Sequence, residues 1–323
     1  METVSASTKI STTEMHTGGE PLRVIDKDSG FPPIKGNTLL EKRRYIKEHL
    51  DCYRKLLMFE PRGHYDMYGV LLVSPDMNDA DIGAIFMHNE GYSTMCGHAV
   101  IALGRYAVDK GLVKKTCPET KVNIQCPCGL VEAYVSFDGT KSSAVRFHSV
   151  PGFLFASGAF YALVPAKSLG LDMKTSKVKD LQEAAAAVTA SLKKSLKLEH
   201  PDSADLAFLY GTIVTDGKDL YSEEITDNIC VFADEEVDRS PCGSGVTARI
   251  AQQYHRNLIQ VNQTRTFRGP AGGIFQAKVV KQVQYGQHKS VIVEVSGNGY
   301  YTGTSTFTVE EDDKIGGAGF LLK

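Results

Sequence analysis

The most informative segments of this sequence are residues 96–100, Cys-Gly-His-Ala-Val, and residues 242–246, Cys-Gly-Ser-Gly-Val. Each is a Cys-Gly turn that leads into an apolar segment of helical character, and each lies in a different half of the chain. Set beside each other, they form a weak internal repeat. We therefore predict two related α+β domains that face each other, so that both turns meet in one cleft.

The segments around these turns alternate between helical and strand-like patterns. Apolar residues recur at helical spacing in residues 39–59, 99–109, 180–198 and 246–256. Short apolar runs with polar or glycine-rich borders predict strands at 22–25, 69–73, 83–87, 122–126, 130–135, 145–148, 207–214, 229–232, 275–280, 291–295 and 305–309. The pattern lapses near 151–157, so we predict domains at 1–150 and 151–323. Residues 1–14 are rich in Ser and Thr, and we expect them to be disordered.

Composition narrows the classes of partner. The 323 residues are 42% hydrophobic and 23% charged, with a net charge of −2, which is typical of a globular protein and gives no reason to expect nucleic acid or a membrane surface. Residues 246–293 carry seven Lys and Arg and no acidic residue, and we interpret them as a solvated face. No signal peptide and no apolar run of about 20 residues is visible. We therefore expect a cytoplasmic protein.

The seven cysteines are odd in number, and in the cytosol they are expected to be free thiols. A thiol at the first turn of a helix meets unpaired N–H groups and the positive end of the helix dipole, so we expect the pKa of Cys96 and Cys242 to be lowered. The following glycines let the backbone approach a ligand, and the free N–H groups can hold a carboxylate. Two such thiols on opposite faces of an α-carbon can invert it by exchanging acid and base roles, without a cofactor.

Other motifs give weaker signals. Residues 243–248 match G-x-G-x-x-A, but no acidic residue follows at the distance needed to hold a ribose. Cys126-Pro127-Cys128 has no second pair at zinc spacing, so we predict no metal site. We expect Cys52, Cys117 and Cys230 to be core or surface residues. A Cys-His hydrolase, with Cys96 as nucleophile and His98 or His64 as base, would leave Cys242 without a role.

At these residues the chain resembles the proline racemase family, whose domains share the diaminopimelate epimerase fold. Within that family it is most similar overall to the animal trans-3-hydroxy-L-proline dehydratases. The matching segments extend over nearly the whole chain: Met15-His16-Thr17-Gly18-Gly19-Glu20-Pro21, Pro61-Arg62-Gly63-His64, Asp66-Met67-Tyr68-Gly69, Asn89-Glu90-Gly91-Tyr92, Met95-Cys96-Gly97-His98, Gly158-Ala159-Phe160-Tyr161-Ala162 and Asp238-Arg239-Ser240-Pro241-Cys242-Gly243-Ser244-Gly245.

The resemblance implies a fold and a set of site residues. It implies two pseudo-symmetric domains, each a curved, mostly antiparallel sheet around a central helix, with the active site in the cleft between them. It makes proline or a hydroxyproline the substrate, requires no cofactor, and suggests a homodimer. The implied roles are acid/base thiols for Cys96 and Cys242, carboxylate binding for Gly97, His98, Gly243 and Ser244, ring-nitrogen binding for His98 and Asp238, and apolar walls from Phe232 and Tyr68.

Two departures from the family pattern keep the activity open. The animal dehydratases that this chain resembles have Thr where it has Cys242, whereas racemases and epimerases have Cys. A second thiol makes inversion feasible, while dehydration needs only one base, so the active-site residues favour a racemase or epimerase, and the similarity along the whole chain leaves a dehydratase as the alternative. The chain is also shortened at residues 152–157, where the family has another strand pair, and a non-catalytic binding protein of the same fold is the third alternative.

Overall fold

The structure, a computed structural model, describes residues 4–5, 7–152, 160–199 and 207–322. Its strands are β1 (Lys9–Thr17), β2 (Glu20–Ile25), β3 (Tyr68–Val73), β4 (Ile82–His88), β5 (Glu119–Cys126), β6 (Gly129–Phe137), β7 (Ser142–His148), β8 (Phe160–Pro165), β9 (Leu209–Thr215), β10 (Thr226–Phe232), β11 (Glu236–Asp238), β12 (Arg265–Arg268), β13 (Ile274–Tyr285), β14 (His288–Gly297) and β15 (Gly299–Thr308). Its helices are α1 (Leu39–His49), α2 (Asp51–Met58), α3 (Gly97–Asp109), α4 (Val178–Ser195), α5 (Gly243–His255) and α6 (Lys314–Ala318).

The described strands form one continuous, mostly antiparallel sheet. Its order is β15-β1-β2-β3-β4-β5-β6-β7-β14-β13-β12-β10-β9-β8, and β11 pairs with β10. Four pairs of neighbours are parallel, namely β2 with β3, β4 with β5, β8 with β9, and β10 with β12. The two halves of the chain join at two places: β7 pairs with β14, for example at His148 and Glu294, and β15 pairs with β1.

Each half wraps its part of the sheet around one buried helix. Helix α3 packs against β1, β6 and β7, and helix α5 packs against β13 and β14. Ala99, Val100 and Leu103 of α3 are fully buried, as are Val246 and Ile250 of α5, because the apolar side chains of each helix pack against strands. Helix α5 also buries polar side chains. The predicted α+β fold, with a central helix in each half, is confirmed.

Several boundaries differ from the prediction. Residues 9–14, expected to be disordered, form most of β1 and pair with β15. The strand forms because exposed Lys9 and Ser11 alternate with buried Ile10 and Thr12. The predicted helix 39–59 is two helices that meet at Leu50, whose φ of −127° is not helical. Strands β8, β11 and β12 and helix α6 were not predicted. Of the shortened stretch 152–157, residues 153–157 lie outside the described residues, and Gly152 pairs with Val291.

The basic stretch 246–293 is not simply a solvated face. Arg249 is 1% exposed and Arg265 is fully buried. Arg249 donates to the carboxylates of Asp216 and Asp219, both at 3.2–3.3 Å, so acidic residues upstream of the stretch neutralise part of its charge. Across the part of the chain that the structure describes, no helix combines the length and the apolar character that crossing a membrane requires.

Candidate active site

The first Cys-Gly turn caps helix α3. Cys96 is the N-cap residue, with an extended backbone (φ −148°, ψ 107°), and its carbonyl accepts the N–H of Val100 at 3.0 Å. The N–H groups of the first helical turn have no partner within the helix and point outward from its end. The thiol is 5% exposed, and its Sγ lies 3.2 Å from Nδ1 of His98.

The second turn reaches the same position through a different backbone. Cys242 is the N-cap of α5, but its φ is +64°, a region that non-glycine residues rarely adopt. Its N–H donates to Oγ of Ser240 at 3.0 Å, and its carbonyl accepts the N–H of Val246 at 2.7 Å. The thiol is also 5% exposed, and its Sγ lies 3.7 Å from Oγ of Ser244. Such backbone strain costs on the order of 1–3 kcal/mol and persists only where surrounding contacts hold it.

The two helix ends meet at their glycines. A Cβ placed on Gly97 would lie 2.5 Å from Cα of Gly243, and the reverse distance is the same. Only glycine permits this approach, which sets the first turns of α3 and α5 against each other. One cavity of about 20 Å³ lies there, and its lining includes every residue that the sequence predicted for the site: Tyr68, Cys96, Gly97, His98, Phe232, Asp238, Cys242, Gly243 and Ser244.

Aromatic rings form part of the cavity wall. Tyr68 meets His98 edge-on, with ring centroids 4.8 Å apart, and its hydroxyl bonds to Ser93. Tyr210 stacks on Phe232 at 5.5 Å. The hydroxyls of Tyr161 and Ser244 are 2.7 Å apart, which adds a polar contact to the second half of the cavity.

Three lining residues were not predicted: Met95, Tyr161 and Tyr210. Met95 and Tyr161 belong to the segments that carry the family resemblance, so the sequence held a signal for both. Tyr210 lies in a strand whose alternation shows a core position and nothing more.

Burial dominates the electrostatics of the first thiol. It raises the pKa of Cys96 well above the ordinary value, while the N–H of Ala99 lowers it and the Asp238 carboxylate raises it further. The expectation that the helix end lowers this pKa is therefore wrong in the closed cavity, because desolvation outweighs the helix dipole. Burial also lowers the pKa of His98 to about 3, although a hydrogen bond to the backbone of Pro21 opposes this, so the ring is neutral.

A second buried carboxyl group lies next to Asp238. Burial raises the pKa of Asp238 to about 6, although hydrogen bonds from Ser240 lower it. Burial and the neighbouring Asp238 also raise the pKa of Glu20 well above the usual range. Arg239 carries the opposing charge, and its Nη1 lies 3.4 Å from Oε2 of Glu20.

The size of the cavity limits what this form can hold. A volume of about 20 Å³ is enough for roughly one water molecule, and an amino acid with a five-membered ring is several times larger. Binding such a ligand therefore requires this cavity to widen. A larger cavity of about 690 Å³ has a lining that includes Cys128, His148 and Tyr285. It shares no lining residue with the cavity that contains the two thiols. Among the described residues, no group of three or more metal-binding side chains is placed to hold an ion.

The sequence matches a known family in two places. A family model described as "Proline racemase" matches residues 12–158 and again residues 155–320, which agrees with the two-fold organisation of the structure. A solved hydroxyproline epimerase from Agrobacterium vitis, with bound trans-4-OH-L-proline, superposes with a TM-score of 0.87 over 98% of this chain and 95% of that chain. At 22% identity, this likeness shows the fold alone.

Curated relatives are similar over nearly their whole length. Trans-L-3-hydroxyproline dehydratase from Xenopus tropicalis is 58% identical, over 97% of this chain and 95% of that protein. A 3-hydroxyproline 2-epimerase from Burkholderia multivorans is 40% identical, over 98% of this chain and 99% of that protein. With both halves matched by the family model and nearly the whole chain covered by these relatives, the chain belongs to the proline racemase family.

Proposed function

We propose that this protein inverts the α-carbon of proline or a hydroxyproline by proton transfer between Cys96 and Cys242. The observation that carries this proposal is the presence of both thiols in the lining of one cavity, each at the start of a buried helix. Because curated relatives are named for 3-hydroxyproline, the 3-hydroxylated ring is the first substrate to test.

The substrate carboxylate would bind the outward N–H groups of the two first turns. These belong to Gly97 and His98 in α3 and to Gly243 and Ser244 in α5. The positively charged ring nitrogen would then lie against Asp238, with neutral His98 as a hydrogen-bond partner. Tyr68 and Phe232 would pack against the ring carbons.

Inversion needs one proton to leave the α-carbon and another to arrive on the opposite face. The thiolate of one cysteine takes the proton, so that an S–H bond forms as the C–H bond breaks. The thiol of the other cysteine then protonates the carbanion and becomes the thiolate. The N–H groups around the carboxylate stabilise the charge that spreads onto it. The reverse reaction exchanges the two roles.

Substrate binding also offsets the cost of a thiolate in a buried site. Burial raises the pKa of Cys96 in the closed cavity, so ionisation there is unfavourable. A cationic ring nitrogen near the sulfur favours the charged form, because an opposite charge within a few ångströms lowers the pKa of a thiol. We therefore expect the reactive thiolate in the complex with substrate.

The second candidate is dehydration of trans-3-hydroxy-L-proline. Relatives with this name, such as the frog and human proteins, are 58% and 55% identical to this chain. In this reaction the Cys96 thiolate takes the α-proton, and the resulting thiol returns a proton to the 3-hydroxyl, which leaves as water while a carbon–carbon double bond forms. The enamine then tautomerises to a cyclic imine. Cys242 is not needed for that step, so its presence favours inversion.

Incubation with trans-3-hydroxy-L-proline and with L-proline in D₂O separates these reactions. Inversion places deuterium on the α-carbon, which NMR detects for both substrates. It converts the 3-hydroxyproline to its C2 epimer, and it removes the optical rotation of L-proline. Dehydration gives the cyclic imine and no epimer, and would replace the inversion proposal. Saturable binding without turnover would instead identify a binding protein. Independence of cofactors, a cytoplasmic location and a homodimeric assembly stay predictions.

A further inference from the structure

The segment before Cys242 is held by residues of the first half of the chain. The hydroxyl of Tyr65 donates to the carbonyl of Asp234 at 2.7 Å. Nδ1 of buried His88 lies 3.0 Å from Oε1 of buried Glu236. Further along, the N–H of Val237 donates to Oδ1 of Asp66 at 2.9 Å. Segment 234–239 thus forms hydrogen bonds across the junction between the halves.

Glu20 makes the last of these bonds before the catalytic turn. Its side chain is 1% exposed, and its Oε2 accepts the backbone N–H of Arg239 at 2.7 Å. Nη1 of Arg239 also donates to the carbonyl of Asp66 at 3.1 Å, so this arginine contacts two first-half residues. Oε1 of Glu20 is buried without a hydrogen-bond partner among the described residues.

The hairpin turn that carries Glu20 is seated directly on this loop. A Cβ on Gly18 would lie 3.2 Å from Cβ of Ser240 and 3.3 Å from Cδ of Pro241. On the other side, a Cβ on Gly273 would lie 2.2 Å from the carbonyl oxygen of Gly18. The Gly-Gly turn between β1 and β2 therefore lies between two loops of the second half, one containing Ser240 and Pro241 and the other containing Gly273. Larger residues could not fit in this turn.

Three consecutive contacts connect Glu20 to the second thiol. Glu20 holds the N–H of Arg239, and the next N–H, of Ser240, donates to Oδ1 of Asp238 at 2.8 Å. Oγ of Ser240 accepts the N–H of Cys242 at 3.0 Å, at the residue whose φ is +64°. A backbone in that region keeps its shape only if its surroundings hold it.

We propose that Glu20 is a positioning residue for Cys242 and Asp238, acting through the backbone of residues 239–240. It touches neither substrate nor thiol. It fixes the loop that places the second acid/base group and the ring-nitrogen partner. For its catalytic readout this proposal rests on the proposed function, whereas its structural readout does not.

The kinetic test uses Glu20→Ala, Glu20→Gln and the matched control Glu14→Ala. Glu14 lies in the same hairpin and pairs with Arg23 at 2.9 Å, away from the loop. A displacement of about 1 Å at a reacting group costs on the order of 10²-fold, so Glu20→Ala should lose about that much inversion rate, while Glu14→Ala should keep it. Gln keeps an oxygen that can accept the Arg239 N–H, and should restore most of the rate. Equal inversion rates in Glu20→Ala and Glu14→Ala would overturn the proposal.

Alkylation by iodoacetamide gives a readout that needs no turnover. The two thiols are equally buried, at 5% exposure each, so their labelling rates can be compared within one sample by peptide mass spectrometry. Loss of one buried hydrogen bond should increase local opening about tenfold, so Glu20→Ala should label Cys242 about tenfold faster, with Cys96 unchanged. Equal acceleration at both thiols, or none at Cys242, contradicts the role of Glu20. If the wild type showed no turnover but Glu20→Ala still labelled Cys242 selectively faster, only the proposed function would be rejected.

Discussion

The two Cys-Gly turns place equivalent thiols by unequal means. Cys96 has an ordinary extended backbone and is held by its own helix, with His98 as the nearest polar side chain. Cys242 has a positive φ and depends on Ser240. The loop before Cys242 is in turn held by residues of the other half. Both cysteines therefore line the same cavity. The backbone at Cys96 is held within its own turn and helix, whereas the loop before Cys242 also needs contacts from the other half of the chain.

The largest effect should come from the locally held turn. Cys96→Ala removes the base required for inversion and for dehydration alike. We expect whichever of the two reactions the wild type performs to fall by up to about 10⁴-fold, the upper range for general acid–base catalysis. NMR in D₂O with trans-3-hydroxy-L-proline measures both products. Cys117→Ala, at an exposed cysteine, is the control. Residual turnover near wild type would contradict the role of Cys96.

The second turn should show a narrower dependence. Cys242→Ser and Cys242→Thr replace the thiol with a hydroxyl of much higher pKa, so inversion should fall by about 10²-fold or more while any dehydration continues. Thr is also β-branched, which is unfavourable at a φ of +64°, so it should be less stable than Ser in urea unfolding. Equal losses of both reactions would show that the two turns do not differ in role.

The carboxyl group beside the second turn should control the pH dependence. The pKa of Asp238 is raised to about 6, and a protonated carboxyl cannot hold the cationic ring nitrogen. We expect kcat/KM to fall about tenfold per pH unit below pH 6, as expected for one ionisation. Asp238→Asn should remove this acidic limb of the pH profile, that is, the fall in kcat/KM below pH 6.

Asp66→Asn is the control for the pH profile. Burial raises its pKa to about 6 as well, but it lies outside the cavity lining, so the limb should persist in this variant. Since the pKa of Asp238 is raised on folding, its protonated form stabilises the fold. That stabilisation is present below about pH 4 and is lost as the pH rises through 6. If the fall in kcat/KM at low pH disappeared in Asp66→Asn and persisted in Asp238→Asn, the assignment to Asp238 would be wrong.

The smallest effect concerns the point where the turns touch. Gly97→Ala places a Cβ 2.5 Å from Cα of Gly243, so the closed form must open slightly. We expect a loss of about 1–3 kcal/mol in the free energy of unfolding, as for other overpacked sites. Gly91→Ala, where a Cβ meets nothing within 4 Å, is the matched control in urea titrations. Equal stability of the two variants would show that this contact does not restrict closure.

Local patterns predicted much of this molecule. The turns at Cys96 and Cys242, their helices and most strands follow from spacing and from glycine positions. The site residues follow partly from those turns and partly from the family resemblance. Strand β1 was missed because a Ser- and Thr-rich sequence reads as polar until its alternation is matched with a partner strand. That partner, β15, lies almost 300 residues away.

Features that depend on distant burial could not be predicted. A helix start favours a thiolate, yet desolvation by both halves raises the pKa of Cys96. Arg249 looked like a solvated charge because its carboxylate partners lie about 30 residues upstream. Glu20 belongs to a recognisable motif, but its bond to Arg239 joins residues 219 positions apart, and no spacing rule reaches that far.

The return of strand β15 to pair with β1 has a consequence for synthesis of the chain. Residues 299–308 complete the sheet that residues 9–17 begin, so the outer edge of β1 has no strand partner until residues 299–308 have been synthesised. The amino-terminal half must therefore wait for the carboxyl end before it can finish folding. A nascent chain stalled near residue 290 should still bind chaperones that recognise open strand edges, and release of the full-length chain should end that binding.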